Sequence, residues 1–147
     1  MKGVFFLAMA LAIALASTST RAEDLFKSST EKIAAIDRKL LACQDRAGEQ
    51  TEAYLKCNAD ASRDMDALLG RLQARLLSTG KGEQDFVARQ TREHKAWLAL
   101  REATVNFEFE AAGGEGDVAK ITAADEYYQF TKTRTEDVLD RIMDSGR

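Results

Sequence analysis

The side chains able to carry chemistry in this chain are few. His94 is the only histidine, so no multi-histidine metal site can form, and any Ser–His or Cys–His nucleophilic pair would rest on that one residue. Its surroundings, Arg92-Glu93-His94-Lys95, fit neither His-Glu-x-x-His nor Glu-x-x-His, because Thr91 stands where the second motif needs glutamate. His94 is therefore expected to be a structural residue with its ring satisfied. Asp60, Asp64 and Asp66 lie close enough in sequence to suggest a cation site, but on a helix they read first as a solvated face. No glycine-rich phosphate loop follows a strand. We expect no metal, no cofactor and no enzymatic activity; a peptidoglycan-cleaving pair of carboxylates is the remote exception.

Trp97 and Arg101 stand one helical turn apart and are placed to stack, or Arg101 to reach an acid on a neighbouring helix. The plain expectation is a structural clamp with Trp97 in the core; exposed, the same pair would suit a partner-binding hot spot. Tyr127 and Tyr128 should divide between core and rim. Cys43 and Cys57 are the only cysteines, and the intervening residues do not make a redox Cys-x-x-Cys motif.

The compartment decides what two cysteines mean. Lys2 precedes an unbroken apolar run from Val4 to Ala16, followed by small and polar residues up to Ala22 and then Glu23-Asp24. Residues 1–22 read as a secretory signal cleaved after Ala22, with Ala16 as the alternative point. The apolar run covers about 20 Å of helix, short of a hydrocarbon core of roughly 30 Å, which disfavours a membrane anchor. No cysteine stands near the cleavage point to carry a lipid. Residues 23–147 are thus expected to form one domain, periplasmic or secreted, without stable membrane insertion. An oxidising compartment favours a Cys43–Cys57 disulfide over two reduced thiols.

These residues must be positioned by helices. The chain has no proline, 45% apolar and 31% charged residues, and 7% aromatics, a composition suited to long helices rather than to hairpins or disorder. Ser28 and Glu31 suggest a capping box ahead of Ile33, Ile36, Leu40, Leu41 and Cys43, ending at Gly48. A second helix from Thr51 carries Tyr54, Cys57, Ala61, Met65, Leu68, Leu69, Leu72 and Leu76 and stops at Ser78 to Gly82. A third, with Glu83 and Asp85 at its start, carries Phe86, Val87, Trp97, Leu98, Leu100, Val105, Phe107 and Phe109. It ends at Gly113-Gly114-Glu115-Gly116. The fourth begins near Asp117, with Val118, Ile121, Tyr128, Val138, Leu139, Ile142 and Met143. The expected fold is all-α, an antiparallel bundle of three to four helices cross-linked by one disulfide. In the hairpin of the first two helices Cys43 and Cys57 sit at similar heights, so a bridge closes if both face inward.

Charge removes one function class. Net charge is −3 for the whole chain and −5 once Lys2 and Arg21 leave with the signal. A nucleic-acid partner is excluded on that ground, because phosphate neutralisation needs a basic surface.

The order of motifs resembles the LprI-like lysozyme-inhibitor family of small exported bacterial domains. Cys43, Thr51 and Cys57 match its opening; Asp66 and Leu69 match the next stretch, with Gly70 where asparagine is usual. Trp97 and Arg101 match at the right spacing, with His94 for glutamine and Glu102 for aspartate. Gly113 and Gly114 fit the glycine pair, and Thr131 with Arg134 fits the closing motif. Two further family cysteines would fall at Val105 and Glu126, where this chain has none. They flank one turn and look like a bridge lost as a unit, leaving Cys43–Cys57 self-sufficient.

The resemblance implies a cell-envelope protein that inhibits lysozyme-type muramidases by protein–protein binding. The alternative is a periplasmic structural, stress-related or immunity-like module with another protein partner. An acidic chain would be steered toward a basic lysozyme. Glu115 and Asp117, on the turn from Gly113 to Asp117, are the expected contact with a target, because three glycines leave that backbone open and the two acids charge it.

Overall fold

The computed structural model describes residues 4–145, with side chains described from Glu23 onward. Residues 1–22, read above as an export signal, lie outside the residues whose side chains are described. Four helices follow one another: α1 (Val4–Ala47), α2 (Thr51–Thr79), α3 (Gln84–Ala111) and α4 (Gly116–Ser145). No strand occurs among the described residues. The short connections make each helix antiparallel to the next, as the glycine punctuation implied. Among the described residues, no helix is long and apolar enough to cross a membrane.

The packing does not follow chain order. The most extensive contact is between α2 and α4, which run parallel; α3 lies mainly on α4, α1 mainly on α2, and α2 barely meets α3. The stripe on α2 explains this. Cys57, Ala61, Met65, Leu68, Leu69, Leu72 and Leu76 recur at three- and four-residue steps and are all buried, so α2 is the core's central rod. Ile33, Leu40 and Ala47 of α1 and Tyr128, Val138, Leu139 and Ile142 of α4 close around it.

Several apolar positions depart from expectation. Ser28 and Glu31 form no capping box, because α1 is already helical upstream and offers no unpaired N–H there; the Ser28 hydroxyl donates to the Leu25 carbonyl at 3.2 Å. Leu41 and Val118 face solvent. The largest correction concerns α3, which contains no fully buried residue. Its apolar side chains point to several sides of the helix, so no single face can be covered. Trp97 is half-buried against the core rather than within it. Phe86 packs tightly over Gly80, where a Cβ would collide with its ring. Any side chain at position 80 would force the Phe86 ring to shift.

Cys43 and Cys57 are joined, with Cα atoms 5.7 Å apart, pinning the last turns of α1 to the first turns of α2. Intact-mass measurement of exported protein should rise by two hydrogens on reduction. Closing a loop of this size stabilises by about 3 kcal/mol in the chain-entropy model, so reduction should lower the unfolding free energy by about that amount.

Candidate functional site

The residues singled out in the sequence gather in two places. The first lies midway along the bundle, where α2, α3 and α4 meet. Arg101 of α3 reaches across to α2 and donates from Nη1 to Asp66 Oδ1 at 2.7 Å, and the same nitrogen donates to Thr131 Oγ1 of α4 at 2.9 Å. The Tyr127 hydroxyl of α4 donates to the other oxygen of Asp66 at 2.7 Å. Asp66 is thus the junction of three helices, not part of a solvated acidic face. Asp60 and Asp64 do lie on that face, paired with Lys56, Arg63 and Lys39.

The guanidinium of Arg101 also lies over two rings, 4.8 Å from the Trp97 centroid and 4.2 Å from that of Tyr127. Trp97 stacks between His94 and Phe130, at centroid distances of 5.7 and 6.0 Å. The clamp inferred from the Trp97–Arg101 spacing is present, although it closes over the core's edge. Tyr128 is buried and Tyr127 sits at the rim, the division the sequence suggested. Burial, then the bond to Asp66, raises the Tyr127 phenol above its usual range.

One level further along, Arg134 is buried to 7% exposure. Its Nη1 donates to Glu93 at 3.1 Å and to Asp137 at 2.7 Å, while Arg141 donates to the same two acids. These bonds, from Arg141 first, hold the Glu93 carboxyl below the ordinary range. Arg134 Nε and Nη2 and His94 Nδ1 are buried without hydrogen-bond partners. His94 is therefore structural but not fully satisfied: its ring stacks on Trp97 with Nδ1 left unpartnered. Burial first, then the positive charges of Arg134 and Arg101, push its imidazole below 6.5.

The second place is one end of the bundle, where the α1–α2 and α3–α4 turns lie together. The Thr51 hydroxyl donates to Asp117 Oδ2 at 2.8 Å, tying the start of α2 to the start of α4. Gly113, Gly114 and Gly116 adopt φ of 110°, 68° and 78°, a region costly for residues with a Cβ. Glu115 stands exposed on this turn. Leu69 belongs to neither place and is core.

Sequence reasoning missed a third set of polar bonds. Tyr54 and Asn58 of α2 both donate to Asp125 of α4, and Gln44 of α1 donates to Asn58. Tyr128 donates to Asp37 of α1 at 2.6 Å, and Lys132 pairs with the same carboxylate at 2.7 Å. Asn58 on the apolar stripe of α2 was the one available signal. Beside Asn58 and Tyr127 a groove of about 520 Å³ opens where α2, α3 and α4 meet, walled by Leu55, Ala59, Val105 and Ala124. Among the described residues no cluster of histidine, cysteine and acids could hold a metal ion.

A family model described as Lysozyme inhibitor LprI matches residues 43–138. The match opens on Cys43 and takes in both places apart from Arg141. No curated protein and no solved structure matches the chain.

Two outcomes test this geometry. Trp97→Ala should cost about 2 kcal/mol in thermal or denaturant unfolding, below the ~3–5 kcal/mol for a fully buried tryptophan, since part of the ring already faces water. The depressed His94 pKa means that the unfolded chain binds a proton at a pH where the folded chain does not. Stability should therefore rise with pH through the window just below 6.5 and level off above it. His94→Gln should flatten that rise, and an imidazole NMR titration with a midpoint at or above 6.5 would contradict it.

Proposed function

The chain belongs to the lysozyme inhibitor LprI family, and from that premise we propose that it is an exported envelope protein that binds a lysozyme-type muramidase and blocks its cleft. The observation that carries this reading is the family match over residues 43–138, which spans both groups of signature residues. It acts by binding rather than catalysis, in the periplasm or outside the cell.

The contact we assign is the turn carrying Glu115 and Asp117. It stands at one end of the bundle with both acids exposed, and carries acid toward a target that is typically basic. Charge of that kind accelerates encounter more than it deepens affinity. A muramidase cleft is concave and sugar-sized, and a narrow glycine-rich turn fits such a shape. Asp117 has a second duty in its bond to Thr51, so its loss affects the fold as well as the surface.

The test is inhibition of a purified lysozyme by the exported protein. Glu115→Ala with Asp117→Ala should weaken inhibition. Thr51→Val, which removes the bond but leaves both acids, should lower stability by about 0.5–1.5 kcal/mol and keep inhibition. Unchanged inhibition by the double variant would move the contact to a helix face. No inhibition by the native chain would favour a different protein partner in the envelope.

A further inference from the structure

The outer face of α3 bears a ridge that nothing among the described residues covers. Arg89, Arg92, Ala96, Leu100, Ala103, Phe107 and Glu110 follow one another at three- and four-residue steps, and all seven are exposed. Leu100 and Phe107 are large apolar residues at 56% and 67% exposure, where a helix facing only water would carry polar ones. The charges along the ridge lie at its two ends. Asp85, Arg89 and Arg92 lie in its first half and Glu110 at its far end, and among the described residues none of the four makes an ion pair.

We propose that this ridge is a self-association surface, on which α3 of one copy packs antiparallel against α3 of a second. A two-fold axis crossing the helix between Ala99 and Leu100 sets Arg89 opposite Glu110 of the second copy and Arg92 opposite its Phe107. The same axis sets Ala96 opposite Ala103, so the backbones approach closely near the centre, with Leu100 beside the axis. Each contact occurs twice, as two-fold symmetry requires. Reversal of the second helix is what sets Arg89 against Glu110 and Arg92 against an aromatic face. A uniformly basic partner, such as the proposed muramidase, would meet repulsion at Arg89 and Arg92. The surface therefore fits a second copy better than the target, and it lies on a helix flank, leaving the Glu115 turn free.

The contact is one helix wide and about 32 Å long, less than the ~800 Å² per partner of a standard stable interface. The dimer is therefore weak and concentration dependent, and salt loosens it. Sedimentation equilibrium of the exported protein should show a reversible monomer–dimer system that shifts toward monomer at high salt. Arg89→Glu should raise the dissociation constant about tenfold or more by facing like charges twice. Adding Glu110→Arg to that variant should restore the dimer. All these side chains are exposed, so melting temperatures should not change and a lost dimer is not a lost fold. A chain monomeric up to about 1 mM, a dimer indifferent to Arg89→Glu, or a charge swap that fails to restore it would each overturn the proposal.

Discussion

None of α3's own side chains is fully buried, so the polar and ring contacts that it makes with α2 and α4 weigh heavily in its attachment to the bundle. Its hold on the bundle centres on Arg101, whose guanidinium crosses to Asp66 on α2 and Thr131 on α4 and is covered by Trp97 and Tyr127. Arginine is needed there rather than lysine. A planar fork can direct hydrogen bonds in its plane while its faces stack on rings, and an ammonium group cannot do both. With the Arg101 side chain largely buried, the pair with Asp66 is screened less than the surface pairs on Asp60 and Asp64. Glu93 adds a second tie through Arg134 and Arg141. Remove the Arg101 junction and α3 retains those pairs, Phe86 at its start and a stack of rings at its middle.

How much of this was legible follows from what periodicity encodes. The stripe from Cys57 to Leu76 was readable because one face of α2 is apolar and the other is not, and the helix boundaries followed from glycine. On α3 the same residue types misled. Phe86 and Trp97 turn inward while Leu100 and Phe107 turn outward, so counting apolar residues could not separate core from surface. Polar pairing was less visible still. Sequence places Asp66 among three acids on one helix, and nothing local tells which of them meets an arginine 35 residues away. The family resemblance named Asp66, Arg101 and Thr131 together without saying why; they are the three corners of one junction. The Tyr54–Asn58–Asp125 bonds had no such guide.

The division of labour among the signature residues also bears on function. Cys43, Cys57, Thr51, Asp66, Arg101, Thr131 and Arg134 are all engaged with other parts of the chain. They specify a scaffold. A target would be recognised by side chains that the scaffold leaves over, which is why a family can share such residues and still differ in what its members bind. Noncovalent bonds alone tie α3 to α4 among the described residues, since the one disulfide joins α1 to α2.

The parallel pairing of α2 and α4 has a consequence for the order in which the chain must assemble. Parallel helices cannot be joined by a tight turn, so the core's main contact forms only after residues 80–115 have been looped back. Loop closure itself is tolerant, costing only about 0.6 kcal/mol more for each doubling of length. Geometry is not tolerant. A strap that returns the chain to its starting level must be as long as the rods it runs beside, and α3, at 28 residues, nearly equals α2 at 29 and α4 at 30. The length of α3 is therefore set by its neighbours, while its sequence, freed from filling a core, can drift toward whatever its outer surface meets.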